Sequence, residues 1–178
     1  MSINIYITNL GKFNEGYGCQ YGTWVRLPIK SDKLQDVLKE IGINEEYEEF
    51  FITDYETSLS GMRYVIKEFS NIVALNELAE LIEELSEEDN DKLNAVLECD
   101  YCSSIEDVKK IISELDNFEL LPEIIDNEEL GYYFAEEVGC LNIPEEVKSY
   151  FNYEKYGRDM RIESSGVFTS LGFLIDYR

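Results

Sequence analysis

The sequence predicts an α+β protein drawn out as an elongated chain of three small domains. These are α+β over 1–60, mostly helical over 61–104, and α+β again over 105–178. Three observations carry this. Apolar residues alternate with polar ones at the start of the chain, the spacing of half-buried strands. In the middle the period becomes that of helices. The end of the chain returns to aromatic and β-branched residues, which favour paired strands.

Ile3, Ile5 and Ile7 alternate with Asn4, Tyr6 and Thr8, which predicts a first strand with one buried face. The stretch 9–18 contains Gly11, Gly16 and Gly18 and reads as a long loop. Alternation over 21–27 predicts a second strand. Leu34, Val37, Leu38 and Ile41 share one face of a helix over 32–41. Ser31 or Asp32 can cap its start, and Gly42 can close it in the left-handed conformation. A third strand is predicted over 49–55. Strand, strand, helix, strand makes a compact α+β unit.

Beyond Gly61, Leu75, Leu78, Ile82 and Leu85 form one apolar stripe, and Leu93, Val96 and Leu97 form another. They predict helices near 74–85 and 87–98 with a break at Ser86. Ser86 is a good N-cap, and Asp89 resembles the reciprocal partner of a capping box. Ser104 can cap a further helix whose apolar face is Ile105, Val108, Ile111, Ile112 and Leu115. A short strand over 118–121 follows, then a helix over 128–138 closed by Gly139, then a short helix opened by Pro144. A hairpin over 166–177 ends the chain. Tyr132, Tyr133, Phe134, Phe168 and Phe173 are predicted as core, where large aromatics usually lie. No low-complexity linker separates the three pieces, which predicts one fairly rigid body.

The charge is one-sided. Thirty-eight Asp and Glu stand against fifteen Lys and Arg, with no histidine, giving a formal charge of -23 on 178 residues. No Lys or Arg occurs between Lys39 and Arg63, between Lys67 and Lys92, or between Lys110 and Lys148. Such a field repels nucleic acid and anionic lipid and steers basic surfaces inward. The sequence therefore predicts a positively charged partner and contact with neither nucleic acid nor membrane. A 44% hydrophobic and 13% aromatic composition argues against disorder. No charged and apolar leader opens the chain and no run of eighteen apolar residues occurs, which predicts a cytoplasmic protein.

Few chemistries survive this composition. Without histidine there is no His-based triad, general base or metal ligand. Gly11 to Gly18 has the wrong spacing for a dinucleotide fingerprint, and no phosphate-binding loop is present. Asp89-Asn90-Asp91 begins like a calcium loop, but Leu93 occupies a ligand position and the required glycine is missing. Cys99 and Cys102 have CxxC spacing without a second pair, and with Cys19 and Cys140 they are too scattered for a disulfide framework. They read as two reduced, partly buried thiols. Neither metal nor cofactor is predicted. Accidental carboxylate pairs are guaranteed by abundance, so a carboxylate hydrolase would additionally need a buried pair with a strongly raised pKa. The sequence predicts no enzyme.

The carboxylates themselves are patterned. Glu77, Glu80, Glu84, Glu87, Glu88 and Asp91 follow a three-or-four spacing that sets them opposite the leucines. Neighbours on such a face lie roughly 4.5 to 6 Å apart along the axis. Duplex DNA carries a charge about every 1.7 Å, so two or three rows approach its density. Like charges at this spacing each cost a helix a few tenths of a kcal/mol, which ordinary solvated faces avoid by mixing signs. With Glu45, Glu46, Glu48 and Glu49, and with Asp126, Glu128, Glu129, Glu136 and Glu137, these rows are the candidate partner-binding residues, acting as phosphate mimics.

The segment from Ile5 to Gly16, IYITNLGKFNEG, resembles the opening of ArdA-type antirestriction proteins. So do Phe51-Ile52-Thr53-Asp54-Tyr55-Glu56 and Glu129-Leu130-Gly131-Tyr132-Tyr133. The likeness continues in YEKYGRDM from Tyr153 to Met160, and in GVFTSLGF from Gly166 to Phe173. Gly157 and Met160 stand where the family usually has Ala and Leu. The resemblance implies a small acidic protein of mobile genetic elements that imitates bent B-form DNA. It also implies the methyltransferase core of a Type I restriction–modification enzyme as partner, three small domains, and a homodimer joined through the C-terminal domain. The residues alone leave a second reading open, an acidic inhibitor of another nucleic-acid-binding protein such as a CRISPR effector or nucleoid protein.

Overall fold

A computed structural model describes residues 2–99 and 102–178. Strand β1 (Ile3–Asn9) is the centre of an antiparallel sheet, flanked by β2 (Gly22–Leu27) and β3 (Phe50–Thr57) in the order β2-β1-β3. Ile3, Ile5 and Ile7 are buried, as the alternation predicts. A register shift between Tyr6 and Ile7 bulges the pairing with β3.

The predicted loop after β1 is instead a run of helical turns. Helix α1 (Leu10–Lys12) leads into a π turn over Phe13–Tyr17 and a 3-10 turn over Gly18–Tyr21. The cause is Asn9, which is fully buried. Its Oδ1 accepts from the Lys12 N–H at 3.0 Å, and its Nδ2 donates to the Ile41 carbonyl at 3.2 Å. Gly16 and Gly18 then take the positive φ values of 91° and 57° that the turns require.

Helix α2 (Ser31–Glu40) packs Leu34, Val37 and Leu38 on the core. Neither Ser31 nor Asp32 caps it. Both lie inside the helix, and the extended residue before it is Lys30, which makes no side-chain cap. Gly42 closes it at φ 82°, as predicted.

Helix α3 (Ile72–Glu84) starts two residues earlier than expected because Asn71 caps it, accepting from Val73 and Ala74 N–H. Helix α4 (Glu87–Glu98) is capped by Ser86, whose Oγ accepts from the Asp89 N–H at 3.1 Å. The Asp89 carboxylate meets the Ser86 hydroxyl rather than its N–H, so the predicted reciprocal box is incomplete here. The complete box forms one helix later. At the start of α5 (Ile105–Ser113), Ser104 Oγ accepts from the Asp107 N–H and Asp107 Oδ2 from the Ser104 N–H.

The second sheet, ordered β4-β6-β5, comprises β4 (Phe118–Leu121), β5 (Val167–Thr169) and β6 (Gly172–Asp176). Between them run α6 (Asn127–Tyr132), continued by a π turn over Tyr133–Glu137, then α7 (Glu145–Lys148) and α8 (Tyr153–Glu163). Helix α8 is absent from the sequence prediction. Gly157 in its middle is a poor helix former, and charged residues dilute its apolar positions Tyr153, Tyr156 and Met160. That glycine is where α6 and α8 meet. A Cβ on Gly157 would lie 1.8 Å from the Asn127 carbonyl oxygen, and one on Gly131 would lie 1.9 Å from that of Tyr153.

A buried cluster joins the first sheet to Leu75, Leu78 and Ile82 of α3, Leu93 and Leu97 of α4, Val108 and Ile111 of α5, and Leu174 of β6. A smaller one gathers Leu130, Phe173 and Ile175. Glu98, at the end of α4, accepts from the Ser170 N–H at 3.0 Å and its hydroxyl at 2.8 Å, tying α4 to the β5–β6 turn. Cys102 is buried, and burial pushes its thiol up to about 11. Cys99 is half-buried, with Sγ 3.5 Å from the Ala95 carbonyl.

Candidate functional site

The first acidic row is held by a turn. Asn44 Oδ1 accepts from the N–H groups of Glu46 and Tyr47 at 2.8 and 3.1 Å. This turns Tyr47 inward and leaves Glu45, Glu46, Glu48 and Glu49 exposed. Together with Leu10, Gly11, Asn14 and Tyr47 they line a hollow of about 300 Å³. The Tyr47 hydroxyl donates to Glu15 at 2.6 Å, and Lys12 pairs with Glu15 at 3.0 Å while lying 4.0 Å from the Tyr47 ring centre. The Tyr47 hydrogen bond and the Lys12 ammonium hold Glu15 below the usual carboxylate range. A lone cation is thus already satisfied by ring and carboxylate within the chain.

The second row lies across two helices. Glu77, Glu80 and Glu84 face outward from α3, and Glu87, Glu88 and Asp91 from α4; all six are exposed. Glu77 pairs with Lys109 at 2.6 Å, and Glu80 accepts from Asn76 at 3.0 Å. Among the described residues Glu84, Glu87, Glu88 and Asp91 take part in no ion pair, so their charge faces solvent undiminished. The Asp89-Asn90-Asp91 triplet sits within helix α4 with Asn90 buried, which removes the calcium-loop reading.

The third row surrounds the start of α6. Asp126 caps this helix, accepting from the Glu129 N–H at 2.9 Å, and Glu129 accepts from the Ile125 N–H at 2.8 Å. Asp126, Glu128, Glu129 and Glu137 are exposed and line a hollow of about 480 Å³ with Glu123, Ile124, Tyr132 and Tyr153. Glu136 stands apart. It is half-buried, pairs with Lys148 at 2.8 Å, and accepts from the Tyr153 hydroxyl at 2.6 Å. Lys148 and then Tyr153 depress its pKa. Its charge is used within the fold. Spacing could not show this, because Lys148 and Tyr153 lie on later elements.

Glu123, Tyr132 and Tyr153 are site residues the sequence did not single out. Tyr132 is assigned to the core by residue type, yet it is 51% exposed. Tyr133, Phe134 and Phe168 are half-buried, and Phe173 is fully buried. Among the described residues the carboxylates whose acidity departs from the ordinary are Glu15, Asp107, Glu136 and Asp176, and all four are depressed. A hydrolytic general acid needs the opposite shift. Among the described residues no group of His, Cys, Asp and Glu could hold a metal ion, and no helix is long and apolar enough to cross a membrane.

The chain is thus a mixed α/β protein with small antiparallel sheets whose candidate carboxylates mostly face outward. The model of the ArdA antirestriction protein family matches residues 5–175. The chain belongs to that family, whose role is antirestriction and whose members act on restriction enzymes. No curated protein matches the chain.

Proposed function

We propose that this protein is a DNA mimic that occupies the DNA-binding groove of a Type I restriction–modification enzyme. The observation that carries the reading is the outward display of the three acidic rows, Glu136 excepted, with Glu84, Glu87, Glu88 and Asp91 unpaired among the described residues. An enzyme that binds DNA gains much of its affinity when Lys and Arg displace counterions from phosphates. Fixed carboxylates on a folded body use the same cations. They offer no base edges, so inhibition is indifferent to the enzyme's target sequence.

The test is displacement of fluorescent DNA from a Type I methyltransferase core at two salt concentrations. Stoichiometric displacement that weakens with salt is the expected result. Displacement from a CRISPR effector or nucleoid protein but not from the methyltransferase core would redirect the reading to those partners. Because the effect is shared, one Glu→Gln change should do little, whereas neutralising Glu84, Glu87, Glu88 and Asp91 together should raise the half-displacing concentration at least tenfold. A single change that abolished displacement would point to a specific lock instead.

The same proposal includes three small domains in a cytoplasmic homodimer. The homodimer is what the family resemblance implies, and Ile125, Tyr150 and Ile162, which are 66%, 85% and 68% exposed, are apolar side chains that a second copy could cover. Sedimentation at micromolar concentration checks it, and a monomer would remove the dimer from the proposal.

A further inference from the structure

The outer face of the first sheet carries an aromatic platform that the acidic rows do not explain. Trp24 is the single tryptophan of the chain and is 44% exposed. It pairs across the strands with Tyr6, which in turn pairs with Asp54 on β3. The Tyr6 ring stands edge-on to Trp24, with centres 5.3 Å apart and planes at 80°. Two features hold the Tyr6 ring there. Its hydroxyl donates to the Cys19 carbonyl at 3.1 Å, and Gly22 leaves it room, since a Cβ on Gly22 would lie 2.5 Å from the ring. The platform is therefore fixed before any partner arrives.

Its chemistry suits one kind of guest. Asp54 and Glu56 point from the same face as Tyr6, on the strand beyond it from Trp24, and are exposed. Asp54 accepts only from the Tyr55 N–H at 2.8 Å, and Glu56 has no ionic partner among the described residues. Other rings of the molecule already hold internal cations: Lys12 lies over Tyr17, Tyr21 and Tyr47, Arg63 over Tyr64, Arg161 over Phe168 and Arg178 over Phe118. No described cation lies over Trp24. Arg26, two residues along the same strand, shares this face and is exposed, with no ion pair and no ring contact among the described residues. A guanidinium is planar, stacks on aromatic faces and pairs with carboxylates in the same plane. Indole is the strongest ring for that contact.

We infer that the row Trp24, Tyr6 and Asp54 across the sheet, with Glu56 beside Asp54, is a docking platform for an arginine side chain of the protein's basic partner. It supplies a contact that salt screens only weakly, beside acidic rows that salt screens strongly. The inference rests on the proposed function for the partner's identity, but not for the chemistry of the platform.

Two measurements on the full chain separate these. First, the fluorescence of Trp24 is followed during titration with an octa-arginine peptide and with an octa-lysine peptide. A saturable change with arginine, much weaker with lysine and diminished in a D54N/E56Q double variant, is expected. No change with arginine, or equal changes with both peptides, would overturn the inference whatever the partner is. Second, Trp24→Ala and Trp24→Phe are compared with the parent protein in the displacement assay, after melting confirms that each variant folds. Trp24→Ala should lose about three- to thirtyfold in affinity, by the same factor at both salt concentrations, and Trp24→Phe less. If the parent displaces DNA and Trp24→Ala displaces it equally well, the inference fails and the proposed function stands.

Discussion

Asn9 shows how much one buried polar side chain can decide. It is 0% exposed and satisfies two backbone groups from different elements, the Lys12 N–H and the Ile41 carbonyl. Replacing it with Ala strands both, each a loss of about 1–3 kcal/mol when buried. Urea unfolding of Asn9→Ala should therefore show a loss of about 2–4 kcal/mol, and a loss below half a kcal/mol would mean that water reaches these groups. Glu136 makes a different prediction. Its folded pKa lies below its unfolded value because Lys148 and Tyr153 stabilise the carboxylate. Its contribution is thus fully present above the unfolded pKa, about 4.3 for glutamate. It disappears as pH falls through the lower, folded pKa. Glu136→Gln should flatten the pH dependence of the melting temperature below about pH 4.5, and an unchanged profile would show that the pair contributes nothing in solution.

At the scale of elements the crossing of α6 and α8 is the most constrained place in the fold. Ala at position 157 gains about 1 kcal/mol of helix propensity. It also puts a methyl group 1.8 Å from the Asn127 carbonyl, where overpacking costs about 1–3 kcal/mol. The contact is with backbone, which puts the steric cost toward the upper end, so Gly157→Ala should lower stability by up to about 2 kcal/mol; a gain on thermal melting would show that the two helices separate freely. This crossing also marks where sequence reading stops. The strands and α3 to α5 are legible because their apolar periods are unbroken, as in Ile3, Ile5 and Ile7 or Val108 and Ile111. Helix α8 is not, because its stability comes from a glycine contact with a helix twenty-six residues earlier, and local propensity opposes it. The turns over 10–21 are hidden for a similar reason: glycine signals a bend, but the choice of helical turns depends on Asn9 reaching Ile41. The acidic rows are legible as residue types and spacing. That Glu136 turns inward, and that Tyr132 opens onto a hollow, depends on where α7 and α8 lie.

For the whole molecule, charge acts in opposite directions on folding and on binding. A net charge of -23 on one folded chain repels itself, and the row Glu84, Glu87, Glu88 and Asp91, unpaired among the described residues, adds to that repulsion. Added salt shortens the screening length from about 30 Å at 0.01 M to about 3 Å at 1 M, which relieves the folded state more than the expanded chain. Salt should therefore raise the melting temperature. In the same range it should weaken displacement of DNA from a methyltransferase core, because the counterions released on binding are then plentiful. The fourfold variant E84Q/E87Q/E88Q/D91N separates the two effects without changing the solvent. It should melt higher than the parent at low salt, with the difference closing as salt rises, while displacing DNA less well throughout. A variant that melts lower at low salt would show that these carboxylates serve the helices they sit on. One that melts higher and displaces as well as the parent would show that they are idle charge. Only the combination of greater stability and poorer displacement identifies them as residues whose repulsion is tolerated because a basic partner relieves it.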